Sequence, residues 1–171
     1  MGYRVRLRPL DRADLERTLA WRNREDSRKW FVHAETITWG SHLAWYDTYA
    51  ERDDDFVFVV EDLDQEGRSV GQVALYRVDW ERGEAEFGRL LIGEPAARGK
   101  GLGRDVTSLL VGFGFERWGL NRIHLEVFRT NARAIQIYEA LGFEIVTMTD
   151  SLIEMELAKT KWVVEDMVPA N

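Results

Sequence analysis

Arg98-Gly99-Lys100-Gly101-Leu102-Gly103 stands directly before an amphipathic run and is the part of the chain best suited to chemistry. A glycine-rich turn that opens a helix offers unpaired main-chain N–H groups and the positive end of a helix dipole, which together make a cradle for phosphate. Gly99, Gly101 and Gly103 permit close backbone approach and positive φ. Arg98, Lys100 and Arg104 gather positive charge on a chain whose formal net charge is −7, so the expected ligand group is a pyrophosphate. An ordinary solvated turn can share this composition, and the turn alone does not decide between the two. The stretch is not a Walker loop, since no Gly-Lys-Ser/Thr follows. Nor is it a dinucleotide fingerprint, since it lacks the matching βαβ unit and an acidic ribose ligand.

Such a turn needs a strand before it and a helix after it. Glu84 to Ile92 reads as the strand and leads through Gly93 and Pro95 into the turn, while Val106, Leu109, Leu110 and Phe113 give the following helix an i, i+3, i+4, i+7 face. Gly112 and Gly114 each cost about 1 kcal/mol of helix propensity relative to Ala, a sign of close packing on a sheet. Ile123 to Phe128 is the next strand. Asn131 then caps a helix carrying Ala134, Ile137, Tyr138 and Leu141 on one face, and Gly142 stops it. Strands near Phe143 to Met148 and Leu152 to Leu157 follow. Upstream, Tyr3 to Leu7 reads as an edge strand that turns at Pro9 into a helix capped by Asp11 and carrying Leu15, Leu19 and Trp21. Asn23 to Gly40 loses periodicity while keeping Trp30, Phe31 and Trp39, as expected of irregular or short helical structure over a cleft. Phe56 to Glu61 and Val70 to Val78 read as a hairpin about Gln65 to Arg68, with Gly83 at the next turn. This order predicts an α/β fold in the mixed α+β sense, a mixed sheet with helices on its faces.

The 171 residues are expected to form one domain, residues 1–171. A 45% hydrophobic composition with seven Trp, eight Phe and five Tyr excludes a disordered chain. No run approaches the ~20 apolar residues needed to cross a bilayer, and Met1 to Leu10 shows no signal-peptide core, so a cytoplasmic protein without membrane contact is expected. The absence of cysteine removes disulfides, a thiolate metal site and a cysteine nucleophile, which favours direct group transfer and leaves no metal expected. The acidic balance excludes general nucleic-acid binding, which needs a basic face.

The sequence resembles the GNAT superfamily of N-acetyltransferases. Arg98-x-x-Gly101-x-Gly103 is similar to its pyrophosphate-binding signature, and Asn131-x-x-Ala134-Ile135-x-x-Tyr138-x-x-x-Gly142-Phe143 to its second signature. The likeness is sharpest from Glu84 to Phe143. It implies a mostly antiparallel sheet splayed at an acetyl-coenzyme A site. It also implies that main-chain amides of Arg98 to Gly103, Leu102 among them, hold the coenzyme's pyrophosphate while Arg98, Lys100 and Arg104 neutralise its charge. Asn131 would contact the pantetheine or acetyl region, and a main-chain N–H near Leu91 or Ile92 would hold the oxyanion. Arg122, Arg129 and Arg133 are candidates to reach the adenosine 3′-phosphate, Arg133 being counted with the coenzyme contacts, although exposed arginines beside strands and helices are usually plain solvated surface. Tyr138 matches the family tyrosine that protonates the departing thiolate; otherwise it is a core tyrosine. An alkylammonium with pKa near 10.4 is only about one part in a thousand neutral at pH 7, so a base or a water chain is required. Glu84 and Glu86 share one strand face where relatives place a base, and Glu86 is the candidate, set against a plain solvent-facing or Arg89-paired role. His42 is a further candidate base.

For the acceptor, Trp21-Arg22-Asn23 with Arg28, followed by Trp39-x-x-His42-x-x-Trp45, resembles GNAT enzymes acting on nucleotide-linked amino sugars. Trp21, Asn23, Arg28, His42, Trp45 and Glu84 are therefore the expected substrate contacts. Aromatic faces suit a sugar or base, and Arg22 or Arg28 a diphosphate. The alternatives are a polyamine, held by an acidic run such as Asp53 to Asp55, a protein N-terminus, or a coenzyme-binding module without turnover. Exposed aromatics and the two late strands leave room for a homodimer.

Overall fold

A computed structural model describes residues 2–162; the outermost parts of the expected 1–171 domain lie outside them. The strands are β1 (Val5–Pro9), β2 (Asp55–Asp62), β3 (Arg68–Asp79), β4 (Glu84–Ile92), β5 (Arg122–Phe128), β6 (Glu144–Met148) and β7 (Leu152–Ala158), and the helices are α1 (Leu15–Asn23), α2 (Glu25–Arg28), α3 (Trp39–Tyr49), α4 (Leu102–Glu116) and α5 (Ala132–Ala140). The strands form one seven-stranded sheet in the order β1-β2-β3-β4-β5-β7-β6. Every neighbouring pair is antiparallel except β4 and β5, the mixed sheet that the order of elements required.

Side-chain alternation sends two apolar sets to opposite faces. Val73, Leu75, Ala85, Phe87, Ile123 and Leu125 pack with Val106, Leu110 and Phe115 of α4 and Tyr138 of α5. Val57, Val59 and Ala74 pack with Leu15 of α1, bordered by Leu43, Trp45, Tyr46 and Tyr49 of α3. Asp11 caps the first helical turn and trades hydrogen bonds with Asp14 in a capping box. Gly114 is tight as expected, since a Cβ there would stand 3.1–3.3 Å from Leu120, Ile123 and Leu75. Among the described residues no helix is long and apolar enough to cross a membrane.

Three expectations change. The first strand lies two residues later than Tyr3 to Leu7. Phe113 lies on the outer side of α4 against Phe58 and Trp118, while Val111 and Phe115 take inner positions. The stretch around Trp39 is a full helix, α3, capped by Thr38, which accepts from the Ser41 N–H.

Candidate active site

β4 and β5 pair only through Glu84–Arg122, Ala85–Ile123 and Glu86–His124. Beyond Glu86 the two strands part, so the β4 edge from Phe87 to Ile92 loses its ladder on that side. Main-chain groups freed in this way need another partner, and an extended ligand can supply one. Leu90, Leu91, Ile92, Arg98, Gly99, Gly101, Leu102 and Gly103 line a cleft of about 280 Å³ with Asn131, Arg133, Ala134, Ile137 and Tyr138 of α5 and its approach. Gly99 and Gly101 take φ of 76° and 78°, in the left-handed region that glycine enters freely. Gly101 is the N-cap of α4 and brings no side-chain acceptor, so the first N–H groups of the helix stay available. A Cβ on Gly99 would meet nothing within 4 Å. Open space, unsatisfied donors and a helix N-terminus in one place fit a diphosphate-bearing coenzyme.

The charged side chains of this loop do less than expected. Arg98 donates through Nε to the Ile92 carbonyl at 2.9 Å and through Nη1 to Asp26 at 2.6 Å. Its charge is therefore already matched, and the residue fastens the loop to the end of β4 and to α2. The Asp26 carboxyl is held down at about 2, first by Arg98 and then by Arg24. Lys100 lies outside the lining and gives its carbonyl to Arg4 Nη1 at 2.6 Å; Arg104 is exposed on α4, also outside it. Asn131 spends its side-chain oxygen on the Ala134 N–H as the cap of α5. Arg122 pairs with Glu84 and Glu156, and Arg129 donates to the Thr149 carbonyl.

Tyr138 is 7% exposed and sits between Phe87 and Phe143, with ring centroids 6.0 and 5.9 Å away. Its hydroxyl has no hydrogen-bond partner among the described residues. Burial raises its pKa well above the ordinary phenol value, so the ring keeps its proton. It also lines a narrower cleft of about 120 Å³ where β4 and β5 part, together with Phe31, Gly88, Arg89, Leu90, Glu126 and Phe128.

That narrow cleft shares Phe31 and Arg89 with a third, of about 320 Å³, on the α1 and α3 face. Thr18, Arg22, Ile37, His42, Trp45, Val57 and Gln72 are among its other walls. His42 stacks on Trp45 at 5.5 Å and 11° and meets the Thr18 hydroxyl at 3.3 Å; burial lowers its pKa and keeps it neutral. Arg89 adopts φ of 54°, an uncommon conformation for a residue with a Cβ. The turn in the strand lets its guanidinium reach Asp55 with two bonds, at 2.7 and 3.2 Å, and lie 4.2 Å over the Tyr76 ring. Phe31, Arg89 and Glu126 were not singled out as site residues. Phe31 is legible only as an apolar residue in an aperiodic segment, and the other two depend on where the strands part.

Several expected substrate contacts have other work. Trp21 is 3% exposed, packs over Gly93 and donates to Glu94 at 3.0 Å. Asn23 uses both ends of its amide on the main chain of Ile37, each at 2.8 Å, and so fastens the intervening segment. Glu84 pairs with Arg122 rather than Arg89, and Glu86 is 4% exposed and bonded to Arg77 at 3.0 Å. Neither lines any of the three clefts. Tyr76 lies beside Glu86 and is pushed up to about 12, first by burial and then by that charge. Arg28 is half-buried outside the lining, whereas His42 and Trp45 line the cleft on the α1 and α3 face. The acidic run is also engaged, with Asp54 on Arg52, Asp55 on Arg89, and the Asp53 carbonyl accepting from Trp80.

Comparison with known proteins agrees with this geometry. The model of the acetyltransferase (GNAT) domain family matches residues 4–144. The spermidine N(1)-acetyltransferase of Escherichia coli K12 is 33% identical over 146 residues, covering 84% of this chain and 75% of that protein. An uncharacterized protein of Methanocaldococcus jannaschii is 29% identical over 142 residues, and the match spans 82% of this chain but only 28% of that protein's length. The crystal structure of spermidine N-acetyltransferase from Vibrio cholerae in complex with CoA and spermine superimposes with a TM-score of 0.83 at 23% identity, over 92% of this chain and 97% of that one.

Proposed function

The chain belongs to the GNAT acetyltransferase family, and from that premise we propose that it moves the acetyl group of acetyl-coenzyme A directly to the primary amine of a small molecule seated between Phe31, His42 and Trp45. The observation that carries the proposal is the run of clefts. The cleft of the phosphate-suited loop at Arg98–Gly103 and the Arg22–Trp45 chamber each share walls with one narrow cleft, the first through Phe31, Leu90 and Tyr138 and the second through Phe31 and Arg89, at the point where β4 has lost its partner strand.

Acetyl-coenzyme A supplies a thioester carbonyl for the amine to attack. The residues of the chain bind, orient and move protons around it. Gly99, Gly101 and the first turn of α4 hold phosphate; Leu91 and Ile92 lie on the freed strand edge, with main-chain donors suited to a developing oxyanion. Tyr138 keeps its proton and can donate it towards the departing sulfur. Of the candidate bases, His42 is neutral and lines the acceptor chamber, whereas Glu86 is tied to Arg77 and can reach the clefts only through a relay such as Tyr76. His42→Gln removing the acid limb of the kcat/KM profile, with Glu86→Gln preserving it, assigns the proton to His42; the reverse assigns it to Glu86.

Two acceptor classes have support. A nucleotide-linked amino sugar suits Arg22, His42 and the Trp45 face. A polyamine is supported by the E. coli relative named for spermidine, and Glu126 is a carboxylate on the wall of the narrow cleft. Thiol release measured over a panel of spermidine, UDP-amino sugars and dTDP-amino sugars separates them. Absence of any affinity for acetyl-coenzyme A or its free thiol form by calorimetry would refute the proposal as a whole.

A further inference from the structure

Among the described residues, Arg22 and Arg28 are the arginines that keep a buried nitrogen without a hydrogen-bond partner. Arg89 has Asp55, Arg98 has Asp26 and Arg77 has Glu86, but among the described residues neither Arg22 nor Arg28 forms an ion pair. Each keeps a buried nitrogen with no hydrogen-bond partner, Nη1 of Arg22 and Nε of Arg28. Arg22 is held in place nonetheless. Nη2 donates to the His33 carbonyl, and the guanidinium lies 3.8 Å over the Phe31 ring. The segment carrying Phe31 and His33 is itself fastened by the Asn23 amide.

A guanidinium held in place with one buried, unspent donor and a like charge beside it is unfavourable until an acceptor group arrives, and an anionic acceptor relieves both the unmade bond and the repulsion. The two cations do sense each other, since burial and then Arg28 lower the Arg22 pKa. The nearest acidic residues along the chain do not relieve them, because Asp26 is taken by Arg98 and Arg24 and the exposed Glu25 forms no ion pair with either arginine among the described residues. Arg22 lines the acceptor chamber beside His42 and Trp45, while the loop suited to the coenzyme's diphosphate lines the other large cleft. A group that answers Arg22 is therefore placed to come with the molecule that fills this chamber.

Resting on the acetyltransferase reading above, we propose that Arg22 and Arg28 form a subsite for a phosphate or diphosphate group of the acceptor, so that the substrate is an amine carrying negative charge at the end away from the reacting nitrogen. Arg22 supplies the contact within the chamber and Arg28 the second charge behind it. The spermidine-like alternative, cationic along its length, is disfavoured at this subsite by like-charge repulsion.

The test uses the full chain saturated with coenzyme A, which removes the coenzyme's own phosphate site from the measurement. Inorganic pyrophosphate should then raise the melting temperature of the wild type, and Arg22→Met should abolish that rise while leaving coenzyme A affinity unchanged. Arg22→Lys, which keeps the charge, should retain part of it. In turnover, 2-aminoethyl phosphate should exceed ethanolamine in kcat/KM by on the order of tenfold or more, the factor expected of one charge-assisted hydrogen bond. That preference should collapse in Arg22→Met and weaken in Arg28→Met, with the acetyl-coenzyme A KM unchanged. The subsite is overturned if pyrophosphate leaves the coenzyme-loaded wild type unaffected, or if spermidine is the better acceptor and Arg22→Met does not reduce its use. Failure to bind coenzyme A at all would instead strike the acetyltransferase reading.

Discussion

Tyr138→Phe deletes one hydroxyl from a ring that is 7% exposed and held edge-on by Phe87. The hydroxyl has no hydrogen-bond partner among the described residues, so its loss strands no donor or acceptor, and the ring keeps its packing. Stability should therefore change by no more than about 0.5 kcal/mol. Turnover should not be spared. A positioned general acid contributes about 10²- to 10⁴-fold, and a thiol, with an ordinary pKa of about 8.5, is a fair leaving group that places the loss near the low end. The expected fall in kcat is about a hundredfold, or ~2.7 kcal/mol of transition-state stabilisation. Because burial raises the Tyr138 pKa, the phenol stays protonated throughout the pH range in which an amine acceptor becomes nucleophilic, and the wild type should show no alkaline loss from its ionisation. Thiol release with a good acceptor gives kcat, calorimetry gives coenzyme A affinity, and urea unfolding gives stability. Full turnover by Tyr138→Phe at every pH, with coenzyme A bound normally, would mean that sulfur is protonated by water or another group. Tyr138→Ala is the contrasting variant. It empties the space between Phe87 and Phe143 and should cost about 3–5 kcal/mol.

The half-buried His42 has a pKa lowered below its ordinary value by burial, so between the two values the unfolded chain binds more protons than the folded one. Stability should fall as pH drops through about 6.5, and His42→Gln should flatten that part of the urea-midpoint profile. Asp55→Asn leaves the Arg89 guanidinium, whose side chain is 30% exposed, without its carboxylate at a positive-φ position. A loss of about 1–3 kcal/mol is expected, with a raised acceptor KM and little change for acetyl-coenzyme A. Gly93→Ala would bring a Cβ within 2.1 Å of the Trp21 ring. The displaced indole should cost about 1–3 kcal/mol or more, read by thermal unfolding.

What the sequence alone determined is local. The bounds of β4, the Asp11 and Asn131 caps, the stop at Gly142 and the phosphate-suited turn all follow from preferences expressed within a few residues: glycine at positive φ, short polar side chains at helix starts, alternation along a strand. α3 escaped because Trp39, His42 and Trp45 are spaced by three and drift off a 3.6-residue repeat, while the side that packs is carried by Leu43, Trp45, Tyr46 and Tyr49. The tertiary structure decided which charges meet. Glu86 faces Arg77, Arg89 faces Asp55 across 34 positions, and Arg98 faces Asp26 across 72. Such partners depend on strand register, on the turn at Arg89 and on where β4 leaves β5. None of these is encoded near the residues concerned, so the sequence could put Glu86 on a strand face but not against Arg77, and could mark Arg22 and Arg28 as suited to an anion but not show that each keeps a buried nitrogen without a hydrogen-bond partner.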